Sequence, residues 1–403
     1  MENSIYEMID DGNIKNTNKK IEILIAIAIS FSPFNKLRVA GIGITEVLLL
    51  LLTFYCMAVL KDAKVSKTDN QVSRMYFFIL FGSVLGYMYN MFFLGDIGEF
   101  SSTIFNFVSY GICMICCYGI EVLLRNNVVN PKTILDRTFC LLSILVAFLF
   151  LVSRFTSSFA GFSLMYYSYF CPLSDNIHQL AMIISMFPFI GLYLLFEKKN
   201  FAVKLLYLIM SVMDVIIGIN TGSSKFILGL IVGGIALLLL IIINSAGRMK
   251  IVMVGGVLLA ALIVLTTNYQ LFLSLFRDND VHGGRETLYI NGLKMVMNSP
   301  VFGYGPSIVI TNVYGKLMDA HETILASYLA GGILAFWALI VTTYKRFKLL
   351  LNNKWLFASM CGFLVYFLGG DVLRKECMWI MLILTSQSVI SDKHSYCNTP
   401  EVI

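Results

Sequence analysis

The side chains best suited to chemistry lie in one hydrophilic stretch, residues 282–325, of an otherwise apolar sequence. Arg285 follows two glycines, and His321 stands just before a later apolar run. A guanidinium binds phosphate oxygens through paired hydrogen bonds, and a neutral imidazole accepts a proton. This combination indicates a site for an anionic substrate, with Arg285 and His321 as the candidate catalytic residues.

A Gly/Pro-rich segment, residues 300–306, lies between these two residues. Its sequence predicts a tight turn whose backbone N–H groups face an anion, so Gly303, Tyr304 and Gly305 are candidate substrate-binding residues. Just before it, apolar residues recur with helical spacing and predict a short amphipathic helix resting on the membrane surface. These apolar residues are Tyr289, Leu293, Val296 and Met297.

Asp319 and Glu322 are spaced as in a capping box, which predicts that Asp319 is the N-cap of the following helix. His321 would then lie in the first helical turn. The partial positive charge of a helix N-terminus disfavours an imidazolium, so His321 would stay neutral and able to accept a proton. Its neighbour Glu322 is a second-tier candidate. The alternative is that His321 only anchors the helix at the membrane interface.

Other charged residues lie near the ends of the apolar runs. Lys225 begins one run, where a cation is mildly unfavourable unless an anion compensates it; the alternative is that Lys225 extends to the lipid headgroups. Arg154 and Arg374 mark the ends of other runs and are further candidates for substrate binding. Glu46 and Asp214 lie within apolar runs, where a charge is costly, and are second-tier candidates. Their alternative role is a structural ion pair with a basic residue.

The elements that must position these residues are membrane helices. The chain is 58% hydrophobic and 13% charged, about half the charged share of a soluble domain. Its apolar runs are continuous rather than alternating, which favours helices over a β-barrel. We predict an all-α polytopic integral membrane protein that forms a single transmembrane domain, residues 1–403, with about 12 helices. The predicted spans are residues 21–34, 39–60, 74–94, 100–123, 138–153, 177–196, 203–219, 225–243, 251–267, 322–343, 355–369 and 376–390.

Basic residues orient these spans, because Lys and Arg concentrate in cytoplasmic loops. With both termini in the cytoplasm, most of the 30 Lys and Arg residues fall in the inner segments. One large external loop, residues 268–321, then lies between the ninth and tenth spans and forms the catalytic loop. Its basic residues oppose the general bias, which indicates a functional role. The net charge of +6 reflects this topology, and the sequence shows no nucleic-acid-binding module.

These features together resemble the superfamily of O-antigen polymerases and O-antigen ligases. The resemblance rests on Arg285 before an amphipathic segment, on Pro-x-Phe-Gly-x-Gly-Pro at 300–306, and on His321 at the start of a span. The turn at 221–225 is similar to the Thr-x-Ser-Arg-Gly turn of the family, and the pair at 331–332 to its later glycines. The basic residue of that turn is Lys here, where the family usually has Arg.

The resemblance implies glycosyl transfer on the outer face of the cytoplasmic (inner) membrane of a bacterium. The donor would be an oligosaccharide on polyprenyl diphosphate, and the diphosphate lipid would be the leaving group. Arg285 would hold the diphosphate, with help from Lys225, Arg154 and Arg374, and His321 would act as general base on the acceptor hydroxyl. We expect no cofactor and no metal.

The resemblance favours a polymerase that joins repeat units into an O-antigen or capsular polysaccharide. A chain-length regulator and a flippase are then candidate partners, beside the lipid bilayer itself. Two alternatives stay open. A ligase would transfer the glycan to lipid A-core, and a flippase or transporter would move the lipid-linked oligosaccharide across the membrane.

Overall fold

The computed structural model describes residues 2–39, 41–59, 71–95, 100–245, 284–306, 309–311, 317–318, 320 and 322–397. The predicted ninth span at 251–267 lies outside the described residues, and so does His321. Side chains within helices are described from residue 17 in the first helix and from residue 287 in the helix that carries Arg285.

The described chain is built almost entirely of helices. They are α1 (Glu2–Phe31), α2 (Ile44–Val59), α3 (Gln71–Tyr89), α4 (Phe100–Arg125), α5 (Pro131–Val152), α6 (Ile177–Ile184), α7 (Phe187–Glu197), α8 (Phe201–Asn220), α9 (Ser224–Asn244), α10 (Gly284–Asn298), α11 (Thr323–Leu350), α12 (Lys354–Gly369) and α13 (Glu376–Cys397). A π-helical turn, Asn90–Leu94, extends α3.

Short antiparallel hairpins lie in the loops between the helices. The strand pairs are β1 (Arg38–Val39) with β2 (Ile42–Gly43), β3 (Ser158–Phe159) with β4 (Phe162–Ser163), β5 (Met165–Tyr166) with β6 (Tyr169–Phe170), and β7 (Ile310–Thr311) with β8 (Leu317–Met318).

Asparagine side chains cap the N-termini of several helices. At the starts of α5, α6, α8 and α12 an asparagine in extended conformation accepts a hydrogen bond from the backbone N–H two residues later. Such a cap satisfies a donor that the first helical turn leaves free. The capping residues are Asn130, Asn176, Asn200 and Asn353.

The lengths and composition of the helices are those of an all-α membrane protein. Among the described residues, 7 helical segments are long and apolar enough to cross a membrane, and Ile177–Glu197 counts as one of them although it comprises α6 and α7. Shorter apolar helices cover Ile44–Ala58, Lys354–Gly369 and Glu376–Ser391. Every predicted span within the described residues therefore overlaps a helix, although the span 39–60 begins in the β1–β2 hairpin, and the total of twelve stays a prediction.

Contacts between loops define two ends of the bundle. The hairpin end comprises the described residues of the loops 32–43, 153–176, 221–223, 299–322 and 370–375. There the backbone N–H of Lys36 donates to the carbonyl of Leu173 over 3.1 Å. At the opposite end, which comprises the loops 126–130, 198–200 and 351–353, Arg137 pairs with Glu22 at 3.0 Å. Loops that alternate along the sequence thus gather at the same end, as antiparallel helices require.

The helix α13 forms the centre of the bundle. Its side chains from Glu376 to Thr385 are all buried, and Trp379 makes edge contacts with Tyr76, Phe363 and Phe367. A helix that is apolar all round is typical of such a central position.

A buried ion pair ties four helices together near the opposite end. The guanidinium of Arg346 on α11 lies 2.8 Å from the carboxylate of Glu121 on α4, and both side chains are 2% exposed. Glu121 also accepts hydrogen bonds from the backbone N–H groups of Val72 and Ser73 at the start of α3. Arg346 donates to Ser386 on α13 over 3.0 Å. The pair therefore satisfies a helix N-terminus as well as its own charges.

Replacing Arg346 with alanine should destabilise the bundle, because the Glu121 charge would stay buried without its partner. The expected loss is about 3–5 kcal/mol. Thermal unfolding of the purified protein in detergent measures it as a lower midpoint. The exposed neighbour Lys345, replaced with alanine, provides a control with the same charge change and an expected effect within about 0.5 kcal/mol. Equal midpoints for the two variants would contradict this role of the ion pair.

Candidate functional site

A break in α11 is the starting point of the candidate site at the hairpin end. Gly331 and Gly332 have non-helical backbone angles, and Gly332 has φ 60° and ψ −153°, a region open to glycine alone. The break frees the carbonyls of Leu329 and Ala330 from the pairing of a continuous helix. Those carbonyls can therefore accept hydrogen bonds from another segment.

The segment that uses them is the turn of residues 301–305. The N–H of Tyr304 donates to Leu329 over 2.7 Å, and the N–H of Gly305 donates to Ala330 over 3.0 Å. In return, the N–H of Ile333 donates to the carbonyl of Val301 over 3.2 Å. The turn is therefore inserted into the helix break and held by main-chain hydrogen bonds in both directions.

Glycines allow the close backbone contact at this junction. A Cβ atom on Gly303, whose φ is 70°, would lie 2.6 Å from the carbonyl oxygen of Leu329. A Cβ atom on Gly86 of α3 would lie 2.5 Å from the carbonyl oxygen of Phe302, and one on Gly82 would lie 2.6 Å from that of Gly331. Three chain segments thus pack backbone to backbone.

These contacts correct one part of the sequence-based hypothesis. The amides of Tyr304 and Gly305 were expected to face an anion, but they donate to helix carbonyls, so that expectation is wrong. The Tyr304 side chain is buried at 8% exposure, and its hydroxyl donates to the carbonyl of Met295. Gly303, Tyr304 and Gly305 therefore fix the position of the turn, while a direct contact of theirs with substrate stays a prediction.

The predicted helix is present as α10, and two residues of its predicted apolar stripe are exposed, while its contact with a membrane surface stays a prediction. Leu288 and Gly292 are buried, whereas Leu293 and Met297 are 59% and 79% exposed. Gly292 packs against Leu325 of α11, which leaves the Leu293 and Met297 side free for lipid. The sequence analysis made no prediction for the side of α10 that faces the protein, where a glycine rather than a large side chain makes the contact.

A small apolar cluster connects the segments that carry the two candidate catalytic residues. Leu288, three residues after Arg285, belongs to it, and so does Ala320, the residue before His321. Tyr304 joins the same cluster. The backbone thus brings the start of α10 and the approach to α11 to one place, while the Arg285 side chain and His321 lie outside the described part.

The start of α11 differs from the prediction. The helix begins at Thr323 and its N-cap is Glu322, whose carboxylate accepts from the N–H of Leu325 over 3.1 Å. The predictions that Asp319 is the N-cap and that His321 lies in the first turn are therefore wrong. Burial raises the pKa of the Glu322 carboxyl, although the backbone N–H groups that it accepts from oppose this shift. His321 precedes this N-cap in the sequence, so the helix dipole disfavours its imidazolium less than it would in the first helical turn.

A large cavity of about 370 Å³ also opens at the hairpin end. Its walls come from the loop after α1, the β1–β2 hairpin, the start of α2, one face of α4, α6 and the start of α13. Charged side chains of both signs line it together with the aromatic rings of Phe31, Phe34 and Phe105. The charged residues are Arg38, Glu46, Arg374, Lys375 and Glu376.

Arg374 lies between this cavity and the junction of the turn with α11. It lines the large cavity and also a small one of about 30 Å³, whose walls include Gly305, Pro306 and Ala320. Its guanidinium donates to Asn106 over 2.8 Å, and the Asn106 amide donates to the carbonyl of Pro306 over 2.6 Å. Of the predicted substrate-binding cations, Arg374 is thus the one that lines both cavities.

Like Arg374, which also pairs with Asp371 at 3.4 Å, the other two predicted substrate-binding cations have partners in the protein. The ammonium of Lys225 donates to the carbonyl of Gly369, the last residue of α12, where a cation complements the helix C-terminus. Arg154 donates to Asn220 over 3.0 Å and stacks on the ring of Phe150. These contacts support the fold of the hairpin end, and phosphate binding by either residue stays a prediction.

The second-tier acids differ in their surroundings. Asp214 is fully buried in α8 and accepts a hydrogen bond from Ser143 over 2.7 Å, which replaces the expected ion pair. Glu46 lines the large cavity together with another acid, Glu376. The expectation that a basic residue pairs with Glu46 finds no support among the contacts that the structure describes.

Sequence reasoning missed Glu376, Arg38 and Lys375 as residues of the site. A signal for Glu376 was available, because it stands at the start of an apolar run in the same way as Lys225 does. Arg38 and Lys375 carry no such signal, since they belong to short loops whose meeting depends on helix packing. Among the described residues, no group of three or more His, Cys, Asp or Glu side chains is arranged to hold a metal ion.

Comparison with known proteins adds no assignment. The sequence matches no protein-family model and no curated protein sequence. Function must therefore be argued from the geometry at the hairpin end.

The glycine junction can be tested with a matched pair of helix substitutions. Gly86→Ala places a methyl group against the turn and should destabilise the protein by about 1–3 kcal/mol. Gly111→Ala on α4 faces open space and should be neutral or stabilising by up to about 1 kcal/mol, as alanine favours helix. Thermal unfolding midpoints in detergent compare the two variants. A Gly86→Ala midpoint at or above that of Gly111→Ala would overturn the packing argument.

Proposed function

We propose that this chain is a glycosyltransferase of the bacterial cytoplasmic membrane that joins oligosaccharides linked to polyprenyl diphosphate into a longer polysaccharide. In this proposal the chain has about 12 spans, both termini are cytoplasmic, and the hairpin end faces outward. The diphosphate lipid is the leaving group, so the reaction needs no nucleotide sugar.

One observation carries the proposal. The start of α10, the turn at 301–305 and the approach to α11 converge beside a cavity lined by three cations and two acids, and Arg374 lines both this cavity and the smaller one next to the turn. A leaving diphosphate gains negative charge as its bond to the sugar breaks. Fixed cations at that position stabilise the transition state more than the ground state.

The proposed roles follow from the chemistry of each side chain. Arg285 holds the diphosphate through the two-pronged hydrogen bonding of its guanidinium. Arg374 contributes a second positive charge from the cavity side. His321 accepts the proton of the attacking sugar hydroxyl as general base.

Two alternative functions remain. A ligase would use the same donor and the same cations but transfer the glycan to a different acceptor. A flippase is favoured by the break in α11, because transporters place discontinuous helices at their substrate sites. In this chain the carbonyls freed by the break accept hydrogen bonds from the 301–305 turn, which makes them poor ligands for a transported substrate.

Chain growth in proteoliposomes tests the proposed function. Purified protein is incubated with lipid-linked repeat units from its source bacterium, and the products are separated by length. We expect longer lipid-linked chains with the wild type, and a loss of about 10²–10³-fold in rate for Arg285→Ala and for His321→Ala. Both variants should insert into the membrane normally.

Lys294→Ala is the control for Arg285→Ala, because it removes the same charge from an exposed position on the same helix. It should keep the wild-type rate. No chain growth with intact substrate would refute the polymerase proposal. Transfer of long chains to lipid A-core would favour the ligase, and transport of single repeat units across the bilayer would favour the flippase.

A further inference from the structure

We propose that the large cavity binds the acceptor sugar and that the Glu46 and Glu376 carboxylates accept hydrogen bonds from its hydroxyl groups. The inference rests on the proposed function, because only a glycosyl transfer makes the bound sugar an acceptor. It assigns a binding site in addition to the residues that bind the diphosphate. It is built from two acids, three aromatic rings and the small polar side chains between them.

Glu376 is one of the two acids in the cavity wall. Its side chain is buried at 5% exposure and lines the cavity. It contacts its own backbone N–H and the Cys377 thiol, a weak donor, at 3.5 Å, and the positive charge of Lys375 also acts on it. A carboxylate has about four acceptor positions, and leaving them unfilled in a buried place is costly. The cavity therefore presents an acceptor-rich surface that calls for donors from a ligand.

The two acids share this wall. Glu46 sits in the first turn of α2 and Glu376 in the first turn of α13, and each lines the same cavity. Two carboxylates that line one cavity repel each other, and a ligand with several hydroxyl groups relieves that repulsion by donating to both. A phosphate would increase it. The acid wall therefore suits a polyhydroxylated, non-phosphorylated group, such as a sugar.

Other side chains complete the lining of the cavity. Asn35, Ser109 and Gln179 supply polar groups, and Phe31 and Phe105 supply flat apolar faces. A pocket with apolar walls and a few convergent polar groups is the usual form of a small-molecule site, and its volume lies within the usual range for such sites.

The separation of charge within the cavity distinguishes acceptor from donor. Arg374 borders the junction where the proposed diphosphate site lies, and Arg38 is exposed on the β1–β2 hairpin. Arg38 and Arg374 thus occupy the edge of the cavity, whereas the two acids, with Lys375 beside Glu376, occupy the helix starts in its wall. The donor sugar is attached to the diphosphate and belongs at the cationic edge. The sugar at the acid wall is therefore the non-reducing end of the acceptor.

A binding experiment that needs no catalysis tests the inference. The probe is the oligosaccharide released by mild acid from the lipid-linked repeat units of the source bacterium, which keeps the acceptor end and lacks the diphosphate. Calorimetry with the full chain in nanodiscs should detect binding. Glu376→Gln and Glu46→Gln should each weaken it about tenfold, because the amide replaces a charged acceptor with a neutral one.

The controls show whether a variant binds less sugar because it lacks one contact or because it is misfolded. Asp175→Asn removes a charge at the same end but outside the cavity, in a surface ion pair with Lys36, and should bind as the wild type does. Size-exclusion profiles and thermal midpoints identify a variant that fails to fold. Because Glu46 is only half-buried, its variant keeps the test valid if Glu376→Gln is unstable.

Modified probes distinguish the two ends of the glycan. Borohydride reduction opens the ring of the reducing-end sugar and should leave binding unchanged. Removal of the terminal non-reducing sugar should abolish binding. The opposite pattern would overturn the acceptor assignment, and wild-type affinity in both Gln variants would overturn the site itself.

The outcome is independent of the test of polymerisation. Carboxylate-dependent binding without chain growth would support the sugar site while refuting the polymerase. Chain growth with no effect of the carboxylates on binding or on the rate would refute the sugar site alone.

Discussion

The exchange of main-chain hydrogen bonds between the 301–305 turn and the break in α11 is the constraint on which the hairpin end depends. A broken helix in a membrane protein leaves carbonyls that water cannot reach, so another segment must satisfy them. Here the turn does so, and glycines on three segments allow the approach. The turn positions Pro306, whose carbonyl accepts a hydrogen bond from Asn106. Asn106 accepts in its turn from the guanidinium of Arg374 and so helps to position it. The break in the backbone of α11 thus helps to determine the position of the Arg374 side chain.

The hairpin end combines residues from distant parts of the chain into one polar region within an apolar bundle. The loop of residues 370–375 illustrates this, since Tyr76 donates to Leu373 over 2.6 Å and Trp379 donates to Val372 over 2.9 Å. Thr323 donates to Gly370 over 2.6 Å as well. With its carbonyls fixed in this way, the loop holds Arg374 and Lys375 at a defined position beside Glu376. Rigid support of this kind is what a site for charge stabilisation requires.

The helices could be predicted from the sequence, because a run of apolar residues of spanning length has few other solutions in lipid. The candidate site could be predicted only in part. The sequence predicted a tight turn at 300–306. It did not predict that this turn pairs with the helix break at Gly331–Gly332, because that pairing depends on two segments that are distant in the chain. The capping residue of α11 was misplaced because Asp319 and Glu322 are both competent caps. Glu376 was missed although it stands at the start of an apolar run, because the sequence does not show that α2 and α13 bring Glu46 and Glu376 to the same cavity.

The central position of α13 has a consequence for the order of assembly. Every other described helix precedes α13 in the chain, yet the side chains from Glu376 to Thr385 fill the middle of the bundle. During synthesis the earlier helices reach the bilayer first, and until α13 arrives they surround a gap where Trp379 will later pack. The early intermediates must therefore remain loosely associated, and closure of the bundle must be a late event that assembles the fold and the cavity wall at once.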